Sequence, residues 1–251
     1  MTAALTDEDR SRPRERPSGW PIMYQSWEKL LFLNWEVPVD AIRPLVPEPL
    51  LIDTFEGRAW LTITPLNIYN ARPIFVPRLP FLSQMYELNV RTYVHFDRVP
   101  GVWFFSLDAN SSLAVAGART FFNLPYFGAD IELNANGRSI EFQSKRTGRE
   151  AAFSTKWTIG AELPEAQPGS LEYFLLERYC LYAADETAIY RGRIHHRPWP
   201  RQQPMNFGGW KSSVVRAAGL NEPSTDPLLF CGGPVDVEVW PIEKVAVNEK
   251  T

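Results

Sequence analysis

Residues 86–96 read Tyr-Glu-Leu-Asn-Val-Arg-Thr-Tyr-Val-His-Phe and alternate without a slip. Only an extended strand sends every second side chain to the same face, so this run commits the chain to a β-sheet. Leu88, Val90, Thr92, Val94 and Phe96 form one face, suited to packing. Glu87, Asn89, Arg91, Tyr93 and His95 form the other. A carboxylate, an amide, a guanidinium, a phenol and an imidazole in one row can bind or transform a small polar molecule. The same row can also face water, or hold a structural Glu-Arg pair between strands.

Much of the remaining sequence agrees with a sheet. The 22 prolines among 251 residues argue against long helices and for strands joined by turns. Strands are predicted over 24–37, 50–53, 57–64, 101–107, 151–159, 187–195 and 235–240. A hairpin is predicted where 130–133 and 139–145 flank Asn136-Gly137. Short helices are expected over 39–45, over 111–122 behind a Ser111 or Ser112 cap, and over 171–182 behind Ser170. Pro65, Pro73, Pro77 and Pro80 predict a long loop over 65–80, because proline cannot donate to a sheet ladder. No βαβ rhythm appears, so the fold class is mainly β (α+β), an antiparallel sheet closed or nearly closed, with a few peripheral helices.

The same reading bounds function. Residues 1–18 are polar, Arg-rich and without an apolar core; they read as a disordered tail rather than an export signal. Residues 19–245 read as a single domain and 246–251 as a second tail. Cys180 and Cys231 are too far apart in sequence for a metal-ligand spacing and read as reduced thiols of a cytoplasmic protein. A net charge of −3 gives no footprint for nucleic acid, and no window is apolar enough to span a membrane. There is no dinucleotide fingerprint, no P-loop and no Gly-x-Ser-x-Gly elbow, so no organic cofactor is expected. Adjacent His195 and His196 point to opposite strand faces and His95 lies apart, so no metal site is expected. A small-molecule ligand at the polar strand and a protein-interaction role both stay open at this point.

Several motifs in order carry a resemblance. They are Trp35-Glu-Val-Pro38, Leu45-Val-Pro-Glu-Pro-Leu50, Asp53-Thr-Phe-Glu-Gly-Arg-Ala-Trp60, Glu87-Leu-Asn-Val-Arg-Thr-Tyr-Val94, Gly101-Val-Trp-Phe-Phe-Ser-Leu-Asp-Ala109, Ala116-Gly-Ala-Arg119 and His196-Arg-Pro-Trp-Pro200. The chain resembles the YqjF-like family of uncharacterised bacterial proteins, from about Trp20 to its last strand. That family looks like a branch of the acetoacetate decarboxylase-like superfamily. The resemblance implies a mostly antiparallel β-barrel around a ligand cavity, and a homo-oligomer of the kind common among its relatives. In the decarboxylases a Schiff-base lysine and a second lysine follow a Gly-Phe-Pro-like turn. The matching turn here is Asn123-Leu-Pro-Tyr-Phe127, which puts Tyr126 and Phe127 at the two lysine positions. Neither side chain can form an imine. A second departure is Asn34, where the pattern of many relatives has histidine.

The expected site follows from the polar strand and this turn. Glu87 matches the superfamily's active-site glutamate and is assigned proton transfer; Tyr126 is assigned a donor role to a developing oxyanion. Arg91 and Arg119 are expected to grip an anionic ligand, a small organic acid or carbonyl compound, with Asn89, Tyr93 and Asp108 contributing contacts. Asp108 also reads as a turn former. Glu177-Arg178-Tyr179 reads as structural. If the protein is an enzyme, lyase- or isomerase-type chemistry without a Schiff base is expected. The competing expectation is a non-catalytic binding protein that inherited the cavity.

Overall fold

The computed structural model describes residues 5–77 and 84–247, and sixteen strands in that range join one continuous sheet. The first eight are β1 (Met23–Glu28), β2 (Leu30–Val37), β3 (Leu51–Ile52), β4 (Ala59–Pro73), β5 (Met85–Phe96), β6 (Val99–Ala109), β7 (Tyr126–Asn136) and β8 (Ser139–Arg146). The others are β9 (Ala152–Glu162), β10 (Cys180–Ala184), β11 (Ala188–His195), β12 (Arg201–Met205), β13 (Trp210–Ser212), β14 (Leu228–Gly232), β15 (Val235–Val239) and β16 (Glu243–Val247). Five short α-helices decorate the sheet: α1 (Asp7–Ser11), α2 (Val39–Ile42), α3 (Ser112–Phe122), α4 (Leu171–Leu176) and α5 (Val214–Ala217). Among the described residues no helix is long and apolar enough to cross a membrane.

The sheet closes on itself twice. One circuit of paired strands runs β4-β5-β6-β10-β11-β15-β1 and back to β4. A second runs β4-β5-β6-β7-β8-β9-β12-β14-β2 and back to β4. The two rings share β4, β5 and β6 as a common wall. Two strands branch to make this possible. β4 pairs with β2 over Ala59–Ile63 and with β1 over Asn67–Pro73. β6 pairs in parallel with β10 at Val102–Trp103 and with β7 at Leu107–Ala109. The sheet is therefore antiparallel except at the two joints on β6.

The branch on β4 corrects the loop expected over 65–80. Residues 65–73 belong to a central strand, with Pro65 opposite Leu88 of β5. Pro65 falls where the other neighbour of β4 hands over from β2 (Leu33 opposite Ile63) to β1 (Glu28 opposite Asn67). A missing N–H is tolerated at a position where one edge carries no partner. Lys29, at φ 53°, makes the break between β1 and β2 that creates this gap. Pro80 lies outside the described residues.

Three other expectations change. The helix predicted over 171–182 stops at Leu176; Glu177 leaves helical geometry at ψ 76°, and residues 180–184 become β10 between β6 and β11. Strand pairing of a buried apolar run outweighs its helical stripe. Residues 5–18 are not a disordered tail. Thr6 caps α1 in a capping box, Arg10 grips Asp53 through two bonds of 2.5 and 2.8 Å, and Arg16 reaches Glu238 at 2.6 Å. Arg10 and Arg16, two of the arginines that suggested a solvated tail, are its anchors. At the other end, residues 246–247 pair with β11 as part of β16, and 248–251 lie outside the described residues.

The rings differ inside. Leu31, Leu33, Ile63, Leu88, Val90, Val94, Ile140, Phe142, Phe153 and Trp157 fill the second ring as one buried cluster. Leu30, Phe32, Leu66, Ile68, Met85, Val102, Leu107 and Val237 belong to a separate cluster that lines the first ring. The alternation of β5 divides its side chains between the two.

Candidate functional site

The first ring encloses a cavity of about 570 Å³, roofed by α3. Glu87, Asn89 and Arg91 of β5 form its polar wall beside Thr64, Leu66 and Ile68 of β4. A bulge in β6 supports this wall. Val90 lies opposite Ser106 while Arg91 lies opposite Phe104, so Phe105 is the extra residue. The bulge restarts the alternation, and Val102, Phe104 and Leu107 all face the cavity.

Tyr126 enters from the opposite side. Ser111 caps α3 at its start, and Asn123, left-handed at φ 51°, ends it. The chain then turns through Leu124-Pro125 into β7, where Tyr126 lies beside Leu107. Tyr126 Oη donates to Glu87 Oε2 at 2.6 Å. Asn89 also hydrogen-bonds to the Glu87 carboxyl. Glu87 is 4% exposed, and burial pushes its pKa up to about 7 although both hydrogen bonds oppose the shift. Burial, and then the adjoining carboxylate, push the Tyr126 phenol well above its ordinary value. The Glu87 carboxyl therefore titrates close to neutrality rather than in the ordinary carboxylate range.

Arg91 stands further along the same wall. Its guanidinium lies 5.3 Å from the Phe32 ring centroid and 5.8 Å from that of Tyr93, and donates to the Leu175 carbonyl at 3.4 Å. No carboxylate pairs with it among the described residues. Its Nε is buried without a partner, as are Asn89 Oδ1 and Thr64 Oγ1. Thr64 and Asn89 face each other across β4 and β5. The cavity wall thus presents a row of unsatisfied polar atoms beside an unpaired cation, in surroundings that are otherwise largely apolar.

The remaining expected residues sit elsewhere. Tyr93 does not line the cavity; it lies beneath, donating to the Leu175 carbonyl at 2.9 Å and sharing a 2.8 Å bond with Thr62. Arg119 does not reach the cavity either. It donates to the backbone carbonyl of Tyr126 at 2.6 Å and so fixes the turn that presents the phenol. Asp108 faces the other ring, where it accepts from Arg146 Nε at 2.9 Å with both side chains buried. The β6 bulge explains the miss, because alternation read from Gly101 changes face at Phe105. Asn34 continues the buried chain below the cavity, accepting from Thr62 at 2.8 Å and donating to the Leu228 carbonyl at 2.9 Å.

Arg178 was missed as a cavity residue. It lines the cavity, is bound to Asp53 at 2.7 Å, and keeps Nη2 unpartnered. Its neighbour Glu177 is structural as expected, accepting from the Trp199 amide at 3.1 Å. Only the end of α4 at Leu176 lets Arg178 turn inward, and the helical pattern in the sequence hides that end. Among the described residues no lysine lines the cavity.

Comparison with known proteins fits this geometry. Residues 24–236 match DUF2071, a family described as an uncharacterized conserved protein. The chain is 40% identical over 241 residues to the uncharacterized protein YqjF of Bacillus subtilis, covering 96% of this chain and 99% of the relative. Acetoacetate decarboxylase from Legionella pneumophila superposes with a TM-score of 0.63 at 9% identity, over 98% of each chain. The enduracididine biosynthesis enzyme MppR, solved with a condensation product of pyruvate and imidazole 4-carboxaldehyde, superposes with a TM-score of 0.59 at 11% identity, over 91% of this chain and 90% of that one. At such identities the structures establish a shared fold, while the sequence match establishes kinship: the chain belongs to the DUF2071 family of uncharacterized conserved proteins, built on the acetoacetate decarboxylase-like fold.

Proposed function

We propose that the first ring binds an organic acid that carries a carbonyl or related function, and acts on it by acid-base chemistry without an imine. The observation that carries this reading is the buried Glu87 carboxyl, its pKa pushed up to about 7 and hydrogen-bonded by Tyr126 at 2.6 Å, in a cavity that also holds the unpaired Arg91. A pKa near the working pH lets one carboxyl both accept and return a proton. Arg91 neutralises and orients the ligand's carboxylate. As Glu87 takes a proton from the neighbouring carbon, its newly protonated carboxyl donates back to the Tyr126 oxygen, and the Tyr126 O–H that had been given to Glu87 turns to the oxygen where charge develops. Enolisation, isomerisation, dehydration and non-imine decarboxylation all use this arrangement. MppR, on the same fold, holds a pyruvate-derived product.

A non-catalytic binding protein is the second reading, favoured by Tyr126 and Phe127 at the positions of both lysines. The two readings share the ligand and divide on Glu87. The test is a thermal-shift screen against keto, hydroxy and dicarboxylic acids, beside Arg91→Ala. A bound acid at a hundredfold excess over its Kd should raise Tm by roughly 5 to 10 °C in the native chain and not in the variant. No shift from any acid, with both proteins folded, sinks the anion-binding reading. With a ligand in hand, Glu87→Gln should abolish turnover and spare binding; altered affinity with no turnover in either protein favours the binder.

A further inference from the structure

Resting on the proposed acid site, we infer that the natural ligand is an elongated amphipathic monocarboxylic acid, its head held at Arg91, an oxygen function beside Thr64 and Asn89, and its apolar body running to the mouth under α3. Three observations lead there.

The first is size. A four-carbon keto acid, at about 30 Å³ per heavy atom, fills well under half of a 570 Å³ cavity. The cavity has room for a ligand of on the order of a dozen or more heavy atoms.

The second is spacing. Arg91 and Glu87 are four residues apart on β5, about 13 Å along a strand. Their side chains engage different neighbours: Arg91 turns to Leu175 and Phe32, Glu87 to Tyr126. The unsatisfied Thr64 and Asn89 oxygens lie between them. A ligand touching both ends therefore carries its reactive centre several bonds from its carboxylate, which removes loss of that carboxylate from the reactions proposed above.

The third is the mouth. Beyond Glu87 the lining is mainly Met85, Ile68, Ala71 and the α3 side chains, with Gln84 and Arg72 as polar members, Arg72 lying over the Tyr24 ring, and no carboxylate among them. Leu113 and Phe121 of α3 line the cavity yet are 70% and 72% exposed, an apolar threshold suited to a hydrocarbon tail.

Straight-chain saturated carboxylates of increasing length test this, titrated against the quenching of Trp27 and Trp199, which stand at the cavity. Affinity should rise about fourfold per methylene until the cavity is full, then level off. Ala118→Trp, which narrows the passage under α3, should move the plateau to shorter chains and leave the shortest acids unaffected; their retained binding also reports that the variant is folded. Arg91→Ala should weaken every length by a similar factor. Affinity independent of chain length, with short acids still needing Arg91, overturns the elongated ligand and leaves the acid site standing. Alcohols binding as tightly as acids of equal length overturns the acid head and the Arg91 reading together. No binding at any length overturns both.

Discussion

The two rings are built from the same strands and differ in what stands inside them. On one face of β5, Leu88, Val90 and Val94 meet Ile140, Phe142 and Trp157, and the interior is filled. On the other, Glu87, Asn89 and Arg91 meet open space. A single period-2 pattern thus faces a filled interior on one side and a hollow one on the other. The comparison extends to charge. In the packed ring the buried Arg146 is paired with the Asp108 carboxylate, although Asp108 Oδ2 and Arg146 Nη2 stay without a hydrogen bond, whereas Arg91 in the hollow ring has no carboxylate partner among the described residues.

Mutations on the two sides should separate stability from binding. The largest effect is expected from Asp108→Ala, which strands a buried Arg146: about 3–5 kcal/mol in chemical denaturation, with ligand binding retained by the molecules still folded. A loss below 1 kcal/mol would mean that the packed ring tolerates an unpaired cation and would erase the contrast.

Next comes pH. The folded pKa of Glu87, about 7, lies above its ordinary value of 4.5, so its contribution is fully present below about pH 4.5 and is lost as pH rises toward 7. The loss amounts to at most about 3 kcal/mol. Glu87→Gln should flatten that fall in a stability profile between pH 5 and 8, and an unchanged profile would remove Glu87 as the titrating group.

The smallest stability effect is expected from Arg91→Ala, within about 1 kcal/mol, because no carboxylate is left behind. A large loss of stability there would make Arg91 a structural residue and remove it from the ligand site.

The strand that divides the rings was legible because alternation is local, as was the Asn136-Gly137 hairpin, where Asn136 pairs with Ser139. What escaped depends on distant partners. Pro65 argues against a central strand until the handover between β1 and β2 is known, and that handover joins segments some forty residues apart. The helical stripe from Leu171 to Tyr182 is real in sequence, yet β6 and β11 claim its second half. Of the expected site, Glu87, Asn89, Arg91 and Tyr126 meet in the cavity. Tyr93 and Arg119 support it from behind, and Asp108 belongs to the other ring. The bulge at Phe105 leaves no composition signal, so no pattern along β6 alone could have turned Asp108 the right way.

The shared wall also settles where this molecule can give way. β5 is hydrogen-bonded along both edges and backed by a filled interior, so Glu87 and Arg91 are held in place before any ligand arrives. By contrast, α3 contributes no fully buried side chain. Local opening follows the least-buried element. A substitution on α3 can therefore reshape the roof of the cavity without disturbing the wall that β5 makes below it.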